Sequence, residues 1–149
     1  MWLATGCGSG LAPVAPGTVG SALALPIWWL AFAHLDPWVQ LALFAAIAVA
    51  SAWIVDRACR ASGVGDASAI VLDEFVGQWI ALIGAPKSLV PVLVAFGLFR
   101  AFDIAKPWPV SWADRRVRGG LGVVLDDVIA GVLAAVVLHL SVGLLHSRV

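Results

Sequence analysis

The sequence predicts an all-α fold, a polytopic membrane helical bundle of about four to five transmembrane or re-entrant helices. Three observations predict it. Of the 149 residues, 62% are hydrophobic and only 12% are charged, whereas a soluble domain is about a quarter charged. Long apolar runs recur along the chain and are separated by short breaks. There are eight tryptophans and no tyrosine. Trp28, Trp29, Trp38, Trp79, Trp108 and Trp112 fall near the ends of those runs, where an amphipathic ring suits the bilayer interface.

The elements follow in order. The first residues carry no Lys or Arg and are rich in Gly and Pro, which is unlike a signal peptide; they read as part of the mature chain. A span needs roughly 20 apolar residues. Val19–Leu35 is apolar with one proline. Trp38–Val55 follows a short Asp36–Pro37 turn, and Val124–His146 is a third strong span. Ile70–Phe102 is apolar but broken by Gly84-Ala85-Pro86-Lys87-Ser88. A residue before proline resists the helical region, so the break reads as the tip of a hairpin between Ile70–Gly84 and Ser88–Phe102. Each half is short for a crossing, which leaves tilted spans and a buried re-entrant pair both open. No polar tract is long enough to hold a second unit, so residues 1–149 read as a single membrane-embedded domain.

Basic residues orient the bundle. Arg57 and Arg60 lie in the second loop, and Arg100, Lys106, Arg115, Arg116 and Arg118 lie before the last span. The His34–Pro37 turn has none, and the hairpin tip has only Lys87. The hairpin puts both basic loops on one side, which the positive-inside rule makes cytoplasmic. Asp56, Asp66, Asp73, Glu74, Asp103, Asp114, Asp126 and Asp127 then gather at that face, and only Asp36 lies opposite. His34, His139 and His146 map to the outer half, which disfavours a phosphohistidine on the cytoplasmic side.

Nine acids balance nine bases, so there is no electrostatic footprint for nucleic acid. Cys7 and Cys59 lack any CxxC spacing, which argues against a disulfide framework or a zinc site and for plain packing residues. Neither has the arginine six residues later that a cysteine-phosphatase loop requires.

Carboxylates near a membrane are costly unless paired, hydrated or metal-bound. Asp73-Glu74 begins an apolar helix, Asp126-Asp127 opens the last one, and Asp103 sits between Arg100 and Lys106. The bland alternatives are acids complementing a helix dipole and an i,i+3 pair between Arg100 and Asp103. As a set, the hard oxygens suit Mg²⁺, which takes carboxylates, waters and substrate phosphate. Arg clamps phosphate bidentately and Lys serves as a point charge. The glycine-rich stretch from Thr5 to Gly10, followed by Pro16-Gly17-Thr18, allows backbone N–H groups near an anion, with Thr18 as an expected N-cap. It has no Walker spacing, and a flexible leading loop is its plain alternative.

Three segments in order resemble the phosphatidylglycerophosphatase A family, from Ala4 to about Ala135. They are Ala4-Thr5-Gly6-Cys7-Gly8-Ser9-Gly10 with Ala15-Pro16-Gly17-Thr18-Val19-Gly20-Ser21; Asp73-Glu74 with Gly77-Gln78-Trp79; and Phe99-Arg100, Phe102-Asp103-Ile104 and Lys106-Pro107-Trp108-Pro109 with Gly119-Gly120-Leu121-Gly122-Val123-Val124-Leu125-Asp126-Asp127 and Ala130-Gly131. Cys7 stands where an aromatic is expected.

The resemblance implies a Mg²⁺-dependent phosphatase of the bacterial inner membrane, multi-pass with its site facing the cytoplasm. It would convert phosphatidylglycerol phosphate to phosphatidylglycerol and inorganic phosphate in phospholipid biosynthesis. The residues then take roles. Asp73, Glu74, Asp103 and Asp127 are candidate catalytic groups, and Asp73, Glu74, Asp126 and Asp127 candidate metal ligands. Arg100, Lys106, Gly8, Ser9 and Thr18 are candidate phosphate binders. Direct attack by water and an aspartyl-phosphate are both open. The expected partners are the phospholipid substrate and the bilayer, with no nucleic acid; homo-oligomer formation is left open. The alternative from another class is a small-ion or solute transporter with an acidic membrane site, which predicts acids at the midplane and an internal repeat.

Overall fold

A computed structural model describes residues 15–62 and 72–146, the side chains of 58–62 and 145–146 excepted. The described residues form helices joined by short turns, without a strand, as the sequence predicts. Six α-helices follow one another: α1 (Pro16–Ile27), α2 (Pro37–Ser62), α3 (Leu72–Ala81), α4 (Leu89–Ala105), α5 (Val110–Arg116) and α6 (Gly119–His146). Two helices, over Pro37–Arg57 and Gly119–Leu144, are long and apolar enough to cross a membrane.

The first helix starts three residues before the expected Val19. Pro16 occupies its first turn, where a missing N–H costs nothing and the fixed φ suits a helix. Thr18 is therefore not the N-cap; Ala15 is, in the left-handed region and without a side-chain cap. Pro26 lies inside α1, and a π-helical turn, Trp28–Phe32, follows. Proline removes one ladder hydrogen bond and crowds the preceding turn, and π-turns absorb such faults. The buried Gln40 of α2 closes this region: its Nε2 donates to the Phe32 and Leu35 carbonyls at 3.2 and 2.9 Å, and its Oε1 accepts from Trp28 Nε1 at 3.4 Å.

The expected hairpin break is present at Leu82–Ser88, with Gly84 at φ 66°. α3 is only 10 residues long, or about 15 Å, against a hydrocarbon core of about 30 Å. Nearly all of it is buried, including Asp73 and Gln78. It packs against α1, α2, α4 and α6, so it is the central helix of the bundle and not a lipid-facing span. Its Trp79 is edge-on to Phe32 and Phe75 and stacked on Phe44, and its Nε1 donates to the Ala24 carbonyl at 3.0 Å. Trp28 and Trp79 are thus core residues, unlike the interfacial role expected of them, because each indole N–H finds a buried partner. Trp38, Trp108 and Trp112 are exposed.

The two ends of the bundle differ. At one end Gly84 lies beside Pro37 and His139, and Lys87 sits over the Trp29 ring at 5.8 Å, so the hairpin tip meets the α1–α2 turn. The other end holds Asp56, Asp73, Glu74, Asp103, Asp114, Asp126 and Asp127. α5 was not expected. Its seven residues are short and mostly polar, and they lay unseen in what reads as a loop.

Candidate active site

Glycines let four helices converge at the acidic end. A Cβ on Gly17 of α1 would fall 2.5 Å from Glu74 Oε1 and 3.3 Å from Arg100 Nη1, so a side chain there would push both groups aside. A Cβ on Gly77 of α3 would meet the Phe99 ring at 2.5 Å and the Asp127 carbonyl at 2.8 Å. Gly131 of α6 faces the Gly77 carbonyl in return. α3 and α6 therefore touch backbone to backbone, as small residues permit in membrane bundles.

That contact sets the carboxylates. Asp73 and Glu74 occupy the first turn of α3. Asp127 lies about two turns into α6, because that helix begins at Gly119, earlier than the expected Val124. A first-turn dipole role thus suits the α3 pair but not Asp126 or Asp127. Carboxylate oxygens of Asp73, Glu74 and Asp127 all lie within 4.8 Å of one another. Adjacent Asp126 is also buried but turns elsewhere, accepting from Lys106 Nζ at 2.8 Å. Successive helical residues point about 100° apart, so one helix serves two partners.

These groups line one cavity of about 450 Å³ with Gly17, Arg100, Asp103 and Asp114. Six carboxylates there face two bases. Arg100 Nη1 donates to Asp103 Oδ2 at 2.6 Å, which is the i,i+3 pair foreseen as the bland alternative. Lys106, held in the left-handed region at φ 44°, joins Asp126 of α6 to Asp114 of α5. Burial pulls the Lys106 ammonium down, but hydrogen bonds to Asp114 and Asp126 outweigh it and raise the group above its ordinary value. A raised lysine contributes stability at pH values below its unfolded value, and that contribution is lost as pH climbs through the raised one. Lys106 therefore keeps its charge throughout the neutral range.

Among the described residues, the buried side-chain polar atoms without a hydrogen-bond partner are Asp73 Oδ1, Glu74 Oε2, Arg100 Nε and both amide atoms of Gln78. A buried polar group without a partner is costly, and a charged one more so. Three of these five atoms belong to residues that line the cavity, and the other two to Gln78, one turn further along α3. Three clustered carboxylates, two of them (Asp73 and Glu74) with an oxygen left unpartnered, fit a divalent cation such as Mg²⁺. Arg100 supplies an unused donor beside them.

Of the other predicted phosphate binders, Gly8 and Ser9 lie outside the described residues, as do Cys7, Asp66 and the Cys59 side chain. Thr18 does not line the cavity, where Ala15, Pro16 and Gly17 do. Asp114, named among the acids of one face, and Gln78, named in the family segment, carry no site role in the sequence reading. Asp114 sits eight residues beyond Lys106 across a Pro-Trp-Pro turn, a spacing with no motif value.

A family model described as phosphatidylglycerophosphatase A matches residues 2–142. The chain belongs to the phosphatidylglycerophosphatase A family. It is 40% identical over 139 residues to the phosphatidylglycerophosphatase A of Escherichia coli (strain K12), covering 92% of this chain and 80% of that one. The Haemophilus influenzae phosphatidylglycerophosphatase A is 38% identical over 136 residues, covering 91% and 83%. A Bacteroides thetaiotaomicron protein, provisionally named a phosphatidylinositol-3-phosphatase, is 40% identical over 147 residues, covering 93% and 91%. No solved structure matches. The family match takes in every residue that lines the cavity.

Proposed function

We propose that residues 1–149 form one membrane-embedded lipid phosphatase domain that hydrolyses the phosphomonoester of phosphatidylglycerol phosphate. The observation that carries this reading is the juxtaposition, in a member of this family, of the Asp73–Glu74–Asp127 cluster with Arg100 and Lys106 in one cavity. Asp73, Glu74 and Asp127 would hold Mg²⁺, with Asp126 beside them. When bound, the ion supplies neutralising charge at the phosphoryl group and acidifies a water. Asp103 and the cluster carboxylates hold the attacking water and take its proton. The water oxygen bonds to phosphorus, the P–O bond to glycerol breaks, and the departing oxygen recovers a proton. Arg100 and Lys106 bind the phosphate oxygens, with Gly8 and Ser9 as further donors from the N-terminal side. Positioning and charge stabilisation dominate, as in phosphoryl transfer generally.

The acidic end faces the cytoplasm of a bacterial inner membrane on this reading, with the basic Arg57, Arg115, Arg116 and Arg118 on the same side. Arg57 lies against Trp53 at 4.3 Å, both at the end of α2 nearest the acids. The lipid tails would stay in the bilayer beside the apolar faces of α2 and α6.

Substrate choice tests this reading. Phosphate release from phosphatidylglycerol phosphate, phosphatidylinositol 3-phosphate and phosphatidic acid is compared in one detergent with Mg²⁺. The highest kcat/KM is expected with phosphatidylglycerol phosphate. A preference for the inositol lipid would transfer the chain to that substrate, and no release from any of the three contradicts a lipid phosphatase.

The arginine makes a second expectation. Arg100→Lys keeps the charge and the Asp103 pair but loses the planar fork. One charge-assisted hydrogen bond is worth about 1.5–3 kcal/mol, so KM should rise about 10- to 100-fold with Tm unchanged. An unaltered KM would remove Arg100 from phosphate binding.

A further inference from the structure

Two glutamines are buried in this bundle, and they are treated oppositely. Gln40 is 2% exposed and has both ends of its amide hydrogen-bonded. Gln78 is 0% exposed and has neither. A glutamine kept for architecture resembles the first; the second is a polar group placed at a stability cost in the centre of the molecule.

Its position says what it is for. Gln78 lies four residues after Glu74 on α3, hence on the same helix face one turn deeper. Side chains on a helix lean toward its N-terminus, so the Gln78 amide leans toward the Glu74 carboxylate. Glu74 Oε1 is the oxygen that faces Gly17 of α1. The other oxygen, Oε2, is buried without a partner. Gln78, with an unused donor in Nε2, thus follows by one helical turn Glu74, with an unused acceptor in Oε2.

We infer that Gln78 is a positioning residue: its Nε2–H holds Glu74 Oε2, directly or through one water, and fixes the carboxylate for cation binding. The inference rests on the carboxylate cluster being a cation site, as proposed above. Groups that orient metal ligands typically contribute 10- to 100-fold in affinity or activity.

Gln78→Met tests it, since methionine keeps the length and shape but has no amide. Mn²⁺ affinity is measured by electron paramagnetic resonance on the detergent-solubilised full chain, beside kcat, KM and Tm. The expected result is about 10- to 100-fold weaker Mn²⁺ binding, a similar fall in kcat, little change in KM, and a Tm equal to or above wild type. A structural glutamine would instead lose Tm, and that result overturns the inference. Unchanged Mn²⁺ affinity also overturns it. The Mn²⁺ measurement needs no substrate, so a wild-type chain that binds Mn²⁺ but releases no phosphate contradicts only the phosphatase reading. A wild-type chain that binds no Mn²⁺ contradicts the cation site and the Gln78 role together.

Discussion

Asp127→Asn should lower phosphate release by roughly 100- to 1,000-fold, the usual effect of removing one group that faces transition-state charge. It should also abolish tight Mn²⁺ binding. Asparagine has nearly the shape of aspartate, so packing against α3 is kept. Asp127 is 3% exposed and shares its site with Asp73 and Glu74. Removing one of three clustered like charges relieves repulsion, so the variant should melt at or above the wild-type temperature. Opposite signs for activity and stability are the mark of a group kept for function. The pair of measurements is phosphate release and a thermal melt on the same preparation. A variant that keeps activity would take Asp127 out of the chemistry. One that loses activity and Tm together would make it a structural residue.

Gly77→Ala should have the second-largest effect, and here the two signs agree. The added methyl meets the Phe99 ring at 2.5 and 2.7 Å and the Asp127 carbonyl at 2.8 Å. Neither is the far end of a flexible chain, so α3 must move from α4 and α6. Overpacking of this kind costs about 1–3 kcal/mol, which lowers Tm by several degrees in a chain of this size. The displacement falls on the backbone of Asp127 itself, so cation binding should fall as well. Gly97 is the matched control: it is helical, and a Cβ there meets nothing within 4 Å. Gly97→Ala should leave Tm and activity as they are or raise Tm slightly, since alanine is the better helix former. Equal behaviour of the two variants in melts and Mn²⁺ titrations would contradict the close α3–α6 contact.

These expectations depend on which features a membrane sequence makes legible. The spans and their breaks were readable because hydropathy and proline act locally. Both long helices contain the expected spans, each extending five or more residues beyond one end, and the break over 82–88 lies where the sequence puts it. The acids were legible as a set because carboxylates in an apolar chain are conspicuous. Which acid faces which partner was not. In a soluble helix the polar face identifies the buried one, but α6 is apolar all round and offers no such contrast. The division of Asp127 to the cluster and Asp126 to Lys106 depends on the register fixed by Gly77 and Gly131, which is a tertiary fact. Gln78 stands in a family segment and Gln40 does not, but only their surroundings show that one amide is bonded and the other is not. α5 was missed because seven residues with Asp114, Arg115 and Arg116 carry no apolar run; Pro109 before it and the basic last turn were the signals available.

The central claim is that Asp73, Glu74 and Asp127 make this chain a cation-dependent lipid phosphatase. Its most direct test is phosphate release from phosphatidylglycerol phosphate by the purified wild-type protein, first with Mg²⁺, then with EDTA, then with Mg²⁺ restored in excess. Release that stops with the chelator and returns with the metal is the predicted result. Release that continues undiminished in EDTA would contradict the account.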